Sequence, residues 1–149
     1  SLNACTLSSQ VLEGISLPDY YQNYANVVVK KQNPLLNRFY LLRQQAMHAI
    51  FVKLLTSIPS SFTDIQVLIL GGGYDISYEF YNDQSRQLHY YVIDFPEIIE
   101  RRMMYHVQRS QYSNKQFHYI GGDLLDFNHI LQQLDDNKID HSRPTIVLV

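Results

Sequence analysis

The sequence is poor in the residues that build covalent cross-links and membrane spans. It contains one cysteine, Cys5, and no tryptophan in 149 residues. A lone cysteine excludes an internal disulfide bond and a metal site made of cysteines only, and a reducing compartment is the simplest interpretation. The longest apolar runs, such as residues 67–70, are far too short to cross a bilayer. We therefore expect a cytoplasmic protein with no membrane partner.

Charge is scarce as well. Charged residues make up 17% of the chain, and the formal net charge is −2. Proteins that bind nucleic acids usually carry a basic stripe. No such stripe is visible in this sequence, which argues against direct nucleic-acid binding. We interpret the pair Arg101 and Arg102 as part of a solvated helix face. The six histidines lack the paired spacing of metal ligands, and the sequence predicts no metal site.

The hydrophobic fraction of 46% is typical of a globular domain. Two helices are predicted near the N-terminus, at residues 18–31 and from Pro34 to about Leu55. Apolar residues recur in the second helix at three- and four-residue steps and form one stripe. The stripe consists of Leu35, Phe39, Leu42, Ala46, Ala49, Ile50 and Leu54.

Short apolar runs alternate with helical segments in the rest of the chain. The runs are residues 67–70, 88–93, 117–120 and 145–149. The predicted helices between them are residues 96–107 and 127–134. Wholly apolar runs are typical of parallel strands buried on both faces, and the alternation predicts a doubly wound α/β sheet. The last strand has nothing after it to cover or pair it, so we expect truncation there.

The first predicted strand ends in a glycine turn suited to a nucleotide. Gly71, Gly72 and Gly73 would let the backbone approach a ligand closely and adopt positive φ. Ligands of open parallel sheets bind beyond such carboxyl ends. Ile76 stands where the dinucleotide fingerprint requires a third glycine, which disfavours NAD or FAD.

Two acidic residues follow the next two strands. Asp94 lies about 20 residues beyond the glycine turn, where an acidic side chain can accept hydrogen bonds from ribose hydroxyls. Asp123 follows the third strand and could bind an adenine edge together with a backbone amide. Each residue alone could instead cap a helix or a turn. Together with the glycines, they predict an adenine nucleoside site.

Four segments resemble the leucine carboxyl methyltransferase family. Residues 33–43 resemble its P-x-I-N-R-G-Y-x-x-R segment, and residues 93–98 with Arg102 resemble V-D-F-P-x-V-x-x-x-K. Residues 70–75 are similar to L-G-[AC]-G-x-D, and residues 122–126 to [AC]-D-L-x-D. The resemblance covers nearly the whole chain, and the spaced combination is more specific than any single segment.

The resemblance implies a class I methyltransferase sheet, which is Rossmann-like, with S-adenosylmethionine as cofactor. Residues 1–60 would be an arm and helices that form a lid over the cofactor site. Residues 61–149 would be the first half of the cofactor-binding α/β domain, truncated at the fourth strand. The resemblance implies that Arg43 pairs with the methionine carboxylate of the cofactor, and that Gly71 and Gly73 let its methionyl and ribose parts lie against the backbone. It also implies that Asp94 holds the ribose and that Asp123 with Leu124 holds the adenine.

The sequence departs from the family pattern at neutral residues. Phe39 replaces a glycine, Phe80 and Leu125 replace arginines, and Gln10 occupies a lysine position. Cofactor binding could survive these replacements, whereas recognition of a carboxylate substrate is left open.

The leading hypothesis is methyl transfer to the α-carboxylate of a protein's C-terminal leucine, with the tail of the protein phosphatase 2A catalytic subunit as partner. Such a carboxylate is already ionised at neutral pH and needs no general base, so no catalytic residue is assigned. The second hypothesis is the tRNA wybutosine-synthesising branch, which methylates a carboxylate on a modified guanosine. The third is a divergent relative that binds a nucleoside or a partner without catalysis. An NAD-dependent enzyme comes fourth, and the chain alone could be inactive in each case.

Overall fold

The computed structural model describes three stretches of the chain, residues 34–73, 85–106 and 115–149. Contacts divide the chain into two compact units. One contains residues 1–53 and 74–81, and the other contains residues 54–73 and 82–149. The predicted helix at residues 18–31 lies outside the described residues. The predicted roles of an N-terminal lid and a truncated cofactor-binding domain remain predictions.

The first described element is the helix α1, Pro34–Ser57. It begins with proline, whose fixed φ suits the first helical position, and it confirms the predicted helix. Its last turn is closed by a side chain, because the Arg86 guanidinium donates to the carbonyl oxygens of Leu55 and Ile58. Within the described ranges, no helix combines the length and apolar character needed to cross a bilayer.

The apolar stripe of α1 is not its buried face. Its large members are between 41% and 63% exposed, whereas Phe51 and Leu55 are fully buried. These two buried residues are four positions apart and therefore lie on one face. That face is offset by one residue from the stripe members Ile50 and Leu54, so the spacing predicted the helix but not its buried side.

The described part of the second unit contains a four-stranded sheet with two helices. Its elements in chain order are β1 (Asp64–Leu70), β2 (Gln87–Asp94), α2 (Pro96–His106), β3 (Lys115–Gly121), α3 (Phe127–Asp136) and β4 (Thr145–Leu148). All neighbouring strands are parallel, in the order β3-β2-β1-β4. The strand order therefore reverses at β1, and the predicted α/β class is confirmed.

The two helices lie on opposite faces of the sheet. On one face Tyr91, Ile93 and Ile120 pack against Ile130 and Leu134 of α3. On the other face a Cβ built on Gly121 would come within 3.2 Å of the Pro96 backbone in α2. Since successive residues of a strand point to opposite faces, Ile120 and Gly121 assign α3 and α2 to different sides. This is the doubly wound arrangement.

A buried glutamine joins β1 to the segment that leads into β4. Gln66 is 1% exposed. Its Nε2 donates to the Asp140 carbonyl at 2.9 Å and to Thr145 Oγ1 at 3.0 Å, and its Oε1 accepts from the Asp140 amide at 2.7 Å. These bonds satisfy the buried amide. They explain why β1 begins at Asp64, before the apolar run that predicted it.

His118 provides a pH-sensitive contact within the sheet. It lies beside Tyr91, with ring centroids 4.6 Å apart and nearly parallel planes. Burial lowers the pKa of His118, and a hydrogen bond that the ring donates to the Asn137 side chain opposes this effect. The folded protein therefore disfavours the charged form of this histidine relative to the unfolded chain.

This predicts a pH dependence of stability that replacement of His118 removes. As the pH falls through the ordinary histidine pKa of about 6.5, the unfolded chain takes up a proton that the folded chain binds less well, so stability falls. His118→Phe keeps an aromatic ring against Tyr91 and should flatten the dependence between about pH 7 and pH 5. Urea unfolding across this range measures the effect. His129→Phe, at an exposed position, is the control, and an unchanged slope in His118→Phe would contradict the interpretation.

Candidate functional site at the carboxyl ends of the strands

The strand register aligns the ends of the first three strands. Leu70 pairs with Ile93, and Asp94 pairs with Gly121. Two backbone bonds of 2.9 Å extend this pattern, from Gly71 N to the Ile93 oxygen and from Gly122 N to the Asp94 oxygen. Since neighbouring strands are about 4.8 Å apart, the residues that follow the three strands meet at one edge of the sheet.

Two glycines of the turn after β1 have left-handed backbone. Gly71 has a φ of +65° and Gly73 a φ of +54°, a region that costs other residues roughly 1–2 kcal/mol. A Cβ on Gly71 would lie 3.8 Å from Leu124 Cδ1, so this glycine faces the loop after β3. A Cβ on Gly73 would meet no other atom of the described residues within 4 Å. Among the described residues, the Cα of Gly73 therefore borders open space.

Asp94 links the end of β2 to the glycine turn. It is 8% exposed, and its Oδ2 accepts from the Gly73 amide at 2.7 Å while its Oδ1 accepts from the Phe95 amide at 2.8 Å. The first amides of α2 bond instead to the Phe95 carbonyl, from Ile98 at 2.9 Å and Ile99 at 3.1 Å. Asp94 thus organises the turn more than it caps the helix.

Asp123 and Leu124 lie in the loop between β3 and α3. Asp123 is exposed, and its Oδ1 accepts from the Leu125 amide at 2.9 Å, which forms an Asx turn. The helix is capped by Asp126, whose side chain accepts from the His129 amide. The alternative role of Asp123 as a turn cap is therefore observed, and it uses only one carboxylate oxygen. Leu124 is 42% exposed beside Gly71.

Arg102 belongs to this edge, and its prediction as part of a solvated face is wrong. It is 4% exposed, and its Nη1 donates to the Gly73 carbonyl at 2.8 Å. Its neighbour Arg101 is exposed, as predicted. The signal for burial was the three-residue step from Ile99, since residues three apart share a helix face. The charge of Arg102 led to the prediction of a solvated position.

The gathered groups are a left-handed glycine turn, a buried carboxylate, an exposed carboxylate and an apolar side chain. The sequence model of the leucine carboxyl methyltransferase family matches residues 7–149. The chain belongs to the leucine carboxyl methyltransferase family. Membership implies methyltransferase activity, and members generally use S-adenosylmethionine. The search of curated proteins found no match.

Two further positions at which the family carries an arginine lie among the described residues, Arg43 and Leu125. Arg43 lies on α1 in the first unit, where it is exposed, and its contact with the methionine carboxylate stays a prediction. Leu125, which replaces a family arginine, is 91% exposed. Gln10 and Phe80 lie outside the described residues. Across the described ranges, no cluster of three His, Cys, Asp or Glu residues could hold a metal ion.

The bonds of Asp94 predict a specific cost for its amide analogue. Asp94→Asn keeps the size of the side chain but replaces one acceptor oxygen with a donor, which would face a backbone N–H. We expect a loss of about 2 kcal/mol in the free energy of unfolding, the scale of a hydrogen bond to a charged group. Urea denaturation measures it. Asp136→Asn, at an exposed position of α3, should change stability by less than about 0.5 kcal/mol, and equal stability of the two variants would contradict the assignment.

Proposed function

We propose that the chain binds S-adenosylmethionine at the carboxyl edge of β1, β2 and β3 and belongs to a carboxyl O-methyltransferase. The observation that carries the proposal is the contact between Gly73 and Asp94. It brings a left-handed glycine, whose Cα no other described residue covers, together with a buried carboxylate, at the edge where parallel sheets bind nucleotides. The family supplies the reaction class.

The residues at this edge fit the parts of the cofactor. Each carboxylate oxygen can accept two hydrogen bonds, so Asp94 keeps acceptor capacity for ribose hydroxyls after binding two amides. Asp123 uses Oδ1 for its turn, and its Oδ2 would accept from the adenine amino group. Leu124 offers an apolar surface to the adenine ring, and Gly71 and Gly73 would let the chain of the cofactor lie against the backbone.

The chemistry needs few groups from the protein. When bound, S-adenosylmethionine supplies a methyl group activated by its sulfonium sulfur. A substrate α-carboxylate has a pKa of about 3.5 and is a competent nucleophile at neutral pH without a general base. The role of the chain is therefore to hold and align the reactants, which is the proximity contribution to catalysis.

The substrate we favour is the C-terminal leucine of a protein, as in the protein phosphatase 2A catalytic subunit. The net charge of −2 argues against the alternative, a carboxylate on a modified guanosine of tRNA, since tRNA binding calls for basic surface. The exposed Leu125, in place of an arginine, favours a third possibility, binding of the nucleoside or of a partner without methyl transfer.

The proposal predicts that Asp123→Asn weakens cofactor binding without loss of stability. Asparagine can form the same turn through its oxygen, but its amino group cannot accept a hydrogen bond from adenine. We expect the Kd for S-adenosylmethionine to rise about tenfold, the value of one hydrogen bond, as measured by calorimetry. Asp136→Asn should bind as the wild type does. A wild-type chain that does not bind S-adenosylmethionine would refute the proposed function.

Transfer of a labelled methyl group separates the candidate substrates. The acceptors are the phosphatase catalytic subunit, the same subunit without its terminal leucine, and tRNA bearing the modified guanosine. Labelling of the intact subunit only supports the favoured substrate, and labelling of tRNA supports the alternative. Cofactor binding without labelling of any acceptor supports the non-catalytic relative.

A further inference from the structure

The amide and the carbonyl of Gly73 each form a hydrogen bond with a side chain of residues 94–102. Asp94, at the end of β2, accepts from the Gly73 amide at 2.7 Å. Arg102, in the second turn of α2, donates to the Gly73 carbonyl at 2.8 Å. The amide and the carbonyl of Gly73 therefore both bond to protein. For a ligand this residue retains its Cα surface and the second lone pair of its carbonyl oxygen.

The Arg102 guanidinium is buried against the glycine turn. The residue is 4% exposed, and so is Ile99, one helical turn before it. A buried guanidinium is costly wherever one of its N–H groups lacks an acceptor, and the Gly73 carbonyl supplies the acceptor for Nη1. A Cβ on Gly72 would lie 3.3 Å from Arg102 Nη1 and 2.6 Å from Ile69 Cγ2. The guanidinium thus packs against a surface that only glycine leaves accessible.

We propose that Arg102 is a positioning residue for the methyl-donor site, which fixes the left-handed conformation of Gly73 through its carbonyl. The inference rests on the proposed function. A φ of +54° is one of several regions open to glycine, so the turn needs an external constraint. Asp94 constrains the amide and Arg102 the carbonyl, and together they orient the Cα toward the space that the ligand would fill.

The first test measures the turn itself and needs no cofactor. Arg102→Met keeps the apolar stem and removes the donor, and Arg101→Met changes the exposed neighbour. We expect amide hydrogen exchange at Gly73 to become at least about tenfold faster in Arg102→Met, because the bond to Asp94 opens more often. Exchange at Val92 in β2 should be unchanged, and Arg101→Met should behave as wild type. Unchanged exchange at Gly73 in Arg102→Met would overturn the proposal.

The second test measures cofactor affinity by calorimetry. We expect the Kd for S-adenosylmethionine to rise about tenfold in Arg102→Met and less in Arg102→Lys, which retains a single cationic donor. Ile99→Val, a core change on the same helix face, should lower Tm without changing Kd. An equal rise in Kd in Arg102→Met and Ile99→Val would mean that Arg102 has only a structural role, and it would overturn the proposal.

The two tests separate this inference from the proposed function. If the wild-type chain does not bind S-adenosylmethionine, the proposed function fails, and with it the link between Arg102 and a methyl donor. Exchange at Gly73 still decides whether Arg102 fixes the turn. If Arg102→Met does not fold, Arg102→Lys provides the comparison with the charge retained. Faster exchange at Gly73 together with a raised Kd in that variant would support the role of the guanidinium, and wild-type exchange and Kd would overturn it.

Discussion

The hydrogen bond between the Gly73 amide and the Asp94 carboxylate joins two neighbouring strand ends, and the geometry of the edge depends on it. Asp94 is 8% exposed, and a carboxylate buried to this degree must be compensated by hydrogen bonds. The amides of Gly73 and Phe95 supply them. Gly73 in turn can present its amide because its φ is positive. The acidic residue and the glycine are therefore required together.

Holding carboxylates with backbone amides prepares them for a ligand. Asp94 and Asp123 each accept from at least one amide, so their orientation is set before binding and less side-chain entropy remains to be lost. Their spare lone pairs point from fixed positions. The same bonds are compatible with a turn role for both residues, because a carboxylate can organise its own loop and still retain acceptors.

The order of strands and helices was predictable because apolar runs and helical periodicity are local properties. The start of β1 at Asp64 was not, since Gln66 is compatible with burial only through bonds to Asp140 and Thr145 far along the chain. The glycine turn, Asp94 and Asp123 were predicted at one edge, and the register brings them there. The three-residue step from Ile99 placed Arg102 on the buried face of α2, but its charge favoured a solvated position. The Gly73 carbonyl and the bare Cα of Gly72, which make its burial possible, are distant in sequence.

The glycines at the strand ends are there for different physical reasons, so only some of them are evidence for a ligand site. Gly72 and Gly122 lie in close packing, since a Cβ at either would come within 2.6 Å of a side-chain methyl of Ile69 or Ile130, which would have to shift. Gly71 has positive φ but faces Leu124. Gly73 alone combines positive φ with open space among the described residues. Two of these glycines are thus explained by close packing, and the features that suit a ligand are Gly73 and the carboxylates around it.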